Sequence, residues 1–191
     1  MRRALCLLPV LLLCACASQP PSPTYYLLRP AADLDSAELQ PSTRYTLGEI
    51  SIAPYINQPG LLLETGEGRV RPAALHLWAE PIEAGIRTYL LQEISRLHGR
   101  DLLPGGTGEQ RINLRIDQLH GTLEGDARLV AYWWIDGDEG ATGARRFARS
   151  QPLAADGYNA LASAERNLLG QLAADIAAAL EAPVDEETAA Q

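Results

Sequence analysis

The chain has 191 residues, 47% of them hydrophobic and 21% charged, which suits one globular domain and is too polar for a polytopic membrane protein. All 16 cationic residues are arginine and they face 24 acids for a net charge of −8, so a basic footprint is missing and no nucleic-acid partner is expected. Aromatic residues make up only 6%, yet aliphatic side chains and alanine are plentiful, which argues against disorder along the whole length.

The first element is an address. Met1-Arg2-Arg3 is followed by an apolar run from Ala4 to Leu13 of about ten residues, the length of a signal-peptide core and short of the roughly 20 needed to span a bilayer. The run ends in Leu13-Cys14-Ala15-Cys16, which resembles the bacterial lipobox, with leucine three positions before the modified cysteine and a small residue directly before it. Cys16 is the expected acylated residue, because modification of Cys14 would leave Leu13 where alanine or glycine is required. An ordinary secretory signal cut after Ala15 or Ala17 is the alternative. All three cysteines lie in the first 16 residues, so neither a disulfide nor a cysteine-ligated metal is expected in the folded domain. No cofactor is expected beyond covalent N-terminal acyl and diacylglycerol groups on Cys16. Acyl chains contribute about 0.8 kcal/mol per buried methylene and anchor stably once two are present, so a mature lipoprotein carrying three would be permanently held. Ala17 stands where an aspartate would resemble an inner-membrane retention signal, which implies the outer membrane, with the domain on its periplasmic face. Losing Arg2 and Arg3 takes the net charge to −10, so attraction to anionic lipid by bulk charge is not expected. The organisation is a leader over 1–15, a lipidated cysteine and Pro-rich tether over 16–23, a domain over 24–182 and an acidic tail over 183–191. The prolines at 20, 21 and 23 give the tether an extended reach of about 20 Å.

Within the domain, residues 25–28 form a short β-prone run closed by Pro30, and 31–42 reads as a polar loop. Residues 45–53 alternate as a strand with an irregularity near Gly48, stopped by Pro54. Residues 61–64 and 70–77 flank Gly66-Glu67-Gly68 as a hairpin whose second arm, carrying Pro72, reads as an edge. A helix starts near Glu80-Pro81, where proline suits the first turn, and stops at His98-Gly99. Its apolar positions Ile82, Ile86, Tyr89, Leu90, Ile94 and Leu97 fall on one side. Residues 112–116, 129–135 and 145–150 predict three consecutive antiparallel strands. A second helix over 158–180 places Leu161, Leu168, Leu172, Ile176 and Leu180 on one stripe, with Asp156, Gly157 or Asn159 as its cap. The class is α+β, an antiparallel sheet with two long helices packed on one face of a single domain.

Catalytic chemistry has no visible footing. His76, His98 and His120 lack H-E-x-x-H or H-x-H spacing, so no metal site is expected. The glycines at 105, 106 and 108 precede a strand instead of a helix, unlike a phosphate-binding loop. Asp136, Asp138 and Glu139 lack the loop length and closing glutamate of an EF-hand. Adjacent Trp133 and Trp134 are more informative. Consecutive strand residues face opposite sides of a sheet, so one enters the core and the other needs separate cover, from the chain's own loops or from a partner or lipid. Whichever is exposed, together with Tyr55 beside Ile56, Leu61 and Leu62, is a partner-interface candidate. The apolar faces suit another protein or further copies of the chain as a homo-oligomer.

The lipobox, Tyr25-Tyr26-Leu27-Leu28, Ile50-Ser51-Ile52-Ala53-Pro54-Tyr55 with Pro59-Gly60-Leu61, the phrase His76-Leu77-Trp78-Ala79-Glu80-Pro81-Ile82 and the strand Ala131-Tyr132-Trp133 together resemble the ABC-type transport auxiliary lipoproteins, the PqiC-like family. Leu77 stands where that family typically has arginine. The resemblance implies a non-enzymatic outer-membrane lipoprotein that works with a periplasmic MCE-domain protein and an inner-membrane transport component in lipid transport and membrane integrity. Trp78, Glu80 and Pro81 are expected to fix the strand-to-helix junction. Two other classes stay open, a periplasmic activator of a cell-wall synthase and a stand-alone lipid carrier with an enclosed apolar cavity.

Overall fold

The structure is a computed structural model that describes residues 21–30, 39–102, 108–138 and 140–181. The leader, Cys16, most of the tether and of the 31–42 loop, the glycines at 105 and 106, Glu139 and the tail lie outside the described residues.

Eight strands and two helices follow in the order β1 (Thr24–Tyr26), β2 (Tyr45–Ile52), β3 (Gly60–Gly66), β4 (Arg69–Trp78), α1 (Ile82–His98), β5 (Gln110–Gly121), β6 (Asp126–Gly137), β7 (Gly140–Ala141), β8 (Arg145–Pro152) and α2 (Tyr158–Glu181). One sheet runs β1-β4-β3-β5-β6-β7, with β2 also on β5 and β8 also on β6. The long antiparallel pair of β5 and β6 is its centre, and β8 continues it antiparallel from Asp126↔Pro152 to Trp133↔Arg145.

The α+β class is as expected, but the sheet is mixed where a wholly antiparallel one was expected. Strand β1 pairs parallel with β4, and β2 and β3 pair parallel with β5. Tight turns join only antiparallel neighbours, whereas these pairs are separated in sequence by whole elements, which leaves the returning strand free to run in the same sense. Pro72 pairs with Leu62 of β3. It lies on the stretch of β4 beyond the reach of β1, which covers only His76 to Trp78. That placement suits a residue unable to donate to a second strand.

The irregularity near Gly48 is a register shift between Leu47 and Ile50. Two of its loosened backbone groups are taken up by side chains: Glu49 N–H donates to Asn113 Oδ1 at 2.9 Å and Arg87 Nη1 donates to the Gly48 carbonyl at 2.8 Å. A Cβ at position 48 would lie 2.3 Å from Asn113 Oδ1, so only glycine fits. Helix α1 ends on Gly99 in the left-handed region (φ 70) and α2 is preceded by Gly157, whose carbonyl accepts from Leu161 N–H at 3.2 Å.

Both helices lay their apolar sides on one face of the sheet. Ile86, Leu90 and Ile94 of α1 and Leu161, Leu168, Leu172 and Ile176 of α2 are buried against Leu47, Ile112, Leu114, Ile116, Leu129 and Phe147. Burying each such side chain contributes roughly 1.5 to 3 kcal/mol, and this layer is the one core of the domain.

Candidate partner interface on the open sheet face

Strand alternation sorts β6 into two populations. Leu129, Ala131 and Trp133 are at most 1% exposed beneath the helices, and Trp133 Nε1 donates to Asp175 Oδ2 of α2 at 3.2 Å. Trp133 is therefore a core residue and is withdrawn as an interface candidate. Val130, Tyr132 and Trp134 point the other way, each partly covered, on the face that carries no helix. Across the strands, Trp134 stands opposite Asn113, Tyr132 opposite Arg115 and Arg146, Val130 opposite Gln118 and Ala148, and Arg128 opposite His120 and Ser150. The Arg115 guanidinium lies 5.1 Å from the Tyr132 ring centroid and forks onto Asp117 at 2.9 and 3.3 Å. Of the acids flanking the β6–β7 turn, Asp136 accepts from Asn113 Nδ2 at 2.7 Å, which is a structural duty.

Tyr55 sits half-buried in the turn between β2 and β3, away from Trp134. Its hydroxyl is hydrogen-bonded to His120 Nδ1 at 3.1 Å, with the rings edge to face. Burial pushes the Tyr55 hydroxyl up and the His120 imidazole down. Behind them lies a residue that sequence reasoning missed: Glu165 of α2 is 2% exposed, and burial pushes its carboxyl up to about 8. The signal was present, since 165 is four after Leu161 and three before Leu168 and so belongs to the buried stripe. Burial therefore favours the protonated form of Glu165, a polar group set inside the core.

Trp78, Glu80 and Pro81 stand at the junction of β4 and α1. Trp78 is buried and its N–H donates to the Pro59 carbonyl at 2.7 Å, while Pro81 occupies the N-cap, one residue before the first helical position. Glu80 is gripped by both terminal nitrogens of Arg29, a partner that no sequence motif singles out. That pairing holds the Glu80 carboxyl below the usual carboxylate range. One strand away, the Tyr26 hydroxyl pairs with His76 Nδ1 at 2.9 Å and donates to Asn159 Oδ1 at 2.7 Å, and His76 stacks on Tyr158 at 4.4 Å. The first strand after the tether is thereby fastened to β4, α1 and α2 together.

Among the described residues no cluster of three or more His, Cys, Asp or Glu could hold a metal ion, and no helix is long and apolar enough to cross a membrane.

Residues 25–177 match the family model described as ABC-type transport auxiliary lipoprotein component. Two curated relatives, each named intermembrane transport lipoprotein PqiC, one from Escherichia coli K12 and one from Shigella flexneri, are each 23% identical over 181 residues, covering 93% of this chain and 96% of theirs. Among solved structures, an uncharacterized protein shares the fold at a TM-score of 0.71 with 20% identity, over 84% of this chain and 99% of its own. Protein XCC0632 from Xanthomonas campestris does so at a TM-score of 0.63 with 13% identity, over 80% and 92%.

Proposed function

The chain belongs to the family of ABC-type transport auxiliary lipoprotein components, and on that premise we propose that it is a non-enzymatic outer-membrane subunit of a trans-envelope lipid transport system. Acylated Cys16 tethers it to the membrane, and the domain anchors or caps a periplasmic MCE-protein conduit that an inner-membrane component feeds. The observation that carries the docking part is the asymmetry of the sheet. One face is sealed by two helices, while the other presents Tyr132 and Trp134, partly covered, beside a row of arginines. Tyrosine, tryptophan and arginine are the residues that protein interfaces use as anchors. Trp134 is the centre of the proposed contact. Tyr55, engaged with His120 away from Trp134, is a second, separate candidate contact.

A photo-crosslinking amino acid placed at Trp134 in cells tests this. The expected product joins the protein to an MCE-domain protein, and the same probe at Trp133 gives none. A crosslink to a cell-wall synthase in its place selects the activator reading and overturns the transport one.

A further inference from the structure

The open face concentrates arginine in a molecule that is acidic overall. Arg128 of β6 and Arg146 of β8 line a concavity of about 460 Å³ together with Val130, Tyr132 and Ser150. Arg128 and Arg146 are four positions apart in strand register, roughly 13 Å, so one arginine stands at each end with Val130 and Ala148 between them. Arg149, opposite Leu129 and lying over the buried Phe147 ring at 5.2 Å, turns its side chain to the helix-covered face.

The charges of Arg128 and Arg146 are not spent inside the protein. Among the described residues neither forms an ion pair, and the carboxylate in the wall, Asp117, is already taken by the fork of Arg115. Glu124, in the turn after β5, feels Arg128 only as the weakest of the influences on its carboxyl. Another cleft, about 620 Å³ between the helices and the segment after β1, makes the contrast. There Arg29 and Arg96 are each forked onto a glutamate, Glu80 and Glu93.

We infer that the β6–β8 concavity binds a phosphate-bearing anion, with Arg128 and Arg146 on its oxygens and the Ser150 hydroxyl as a further donor. Guanidinium forks match the tetrahedral oxygens of phosphate in pairs, and two uncompensated cations suit a group that carries up to two negative charges. The same chemistry is offered by a phospholipid headgroup and by free phosphate. The site does not depend on the docking reading, because it is complete within one chain.

The test uses the full-length acylated protein in neutral maltoside micelles, titrated separately with inorganic phosphate and with water-soluble dihexanoyl phosphatidylglycerol, while the arginine side-chain Nε–H resonances are followed by NMR. Saturable shifts at Arg128 and Arg146 are expected, and affinity falls roughly tenfold or more in the Arg128→Gln, Arg146→Gln double variant. Tighter binding of the lipid assigns the site to a headgroup; equal binding assigns it to free phosphate. No saturable shift with either probe, or binding that the double variant retains, overturns the inference. Should the double variant lose its fold by circular dichroism, Arg146→Gln alone, at an exposed position of the outer strand, gives the same reading.

Discussion

Glu165 carries the sharpest pH signature in the molecule. Between about 4.5, the value of a free glutamate, and about 8, the folded chain keeps a proton that the unfolded chain releases. Stability therefore falls as pH rises through that window, by about 1.4 kcal/mol per pH unit at its steepest. His120 works in the opposite sense. Its folded-state pKa is depressed, so its contribution is lost as pH falls below about 6.5, its unfolded value. The Glu165→Gln variant is expected to lose the decline between pH 7 and 8 while keeping the acid limb, as measured by urea unfolding across pH; an unchanged slope would mean that Glu165 ionises freely in the fold. At the tryptophan pair the two substitutions separate packing from contact. Trp133→Ala opens a cavity and leaves Asp175 unpartnered, at a cost of about 3 to 5 kcal/mol. Trp134→Ala is expected to cost less than about 1.5 kcal/mol in stability and to act on partner capture. Equal losses of stability in the two would place both side chains in the core.

At the scale of elements, periodicity carried most of the fold. The stripe of Leu161, Leu168, Leu172, Ile176 and Leu180 and the set Ile82 to Ile94 were legible because burial on one side imposes a helical repeat, and both helices lie where that repeat put them. The Gly48 irregularity was legible from the break in strand alternation. The parallel pairings were not, since direction depends on how far the chain travels between strands and leaves no mark on a single strand's pattern. Two-residue β7 is too short to have a period at all. Arg29 was invisible for a related reason: an arginine after a strand has no local feature that names a glutamate 51 positions on. Its pairing ties the tether side of the domain to the start of α1. Arg29→Ala is expected to destabilise the protein by about 1 kcal/mol, the range of a partly exposed pair, and to speed amide exchange in β1 above that in β5. Since the Glu80 pKa is lowered in the fold, its share of stability is present above pH 4.5 and fades as pH falls below it. A uniform rise in exchange across the whole sheet would contradict this local role.

At the scale of the whole molecule, composition spoke of an acidic surface and concealed the arrangement of its arginines. Arg111, Arg115, Arg128 and Arg146 are scattered in sequence, and only antiparallel register brings them to one face. The lipobox and the absence of a catalytic motif pointed to a tethered, non-enzymatic subunit, and family membership agrees with transport as its setting. On the proposed reading the fold divides the labour: helices seal one face, β1 is fastened beside the segment that would carry the tether, and the opposite face is left for contact. Purification of the full-length protein from cross-linked envelopes, with the co-purifying chains identified by mass spectrometry, tests that division most directly. Recovery of an MCE-domain protein that is lost when Cys16→Ser abolishes the anchor is the expected result; recovery of a cell-wall synthase in its place, or of the MCE protein undiminished without the anchor, would contradict it.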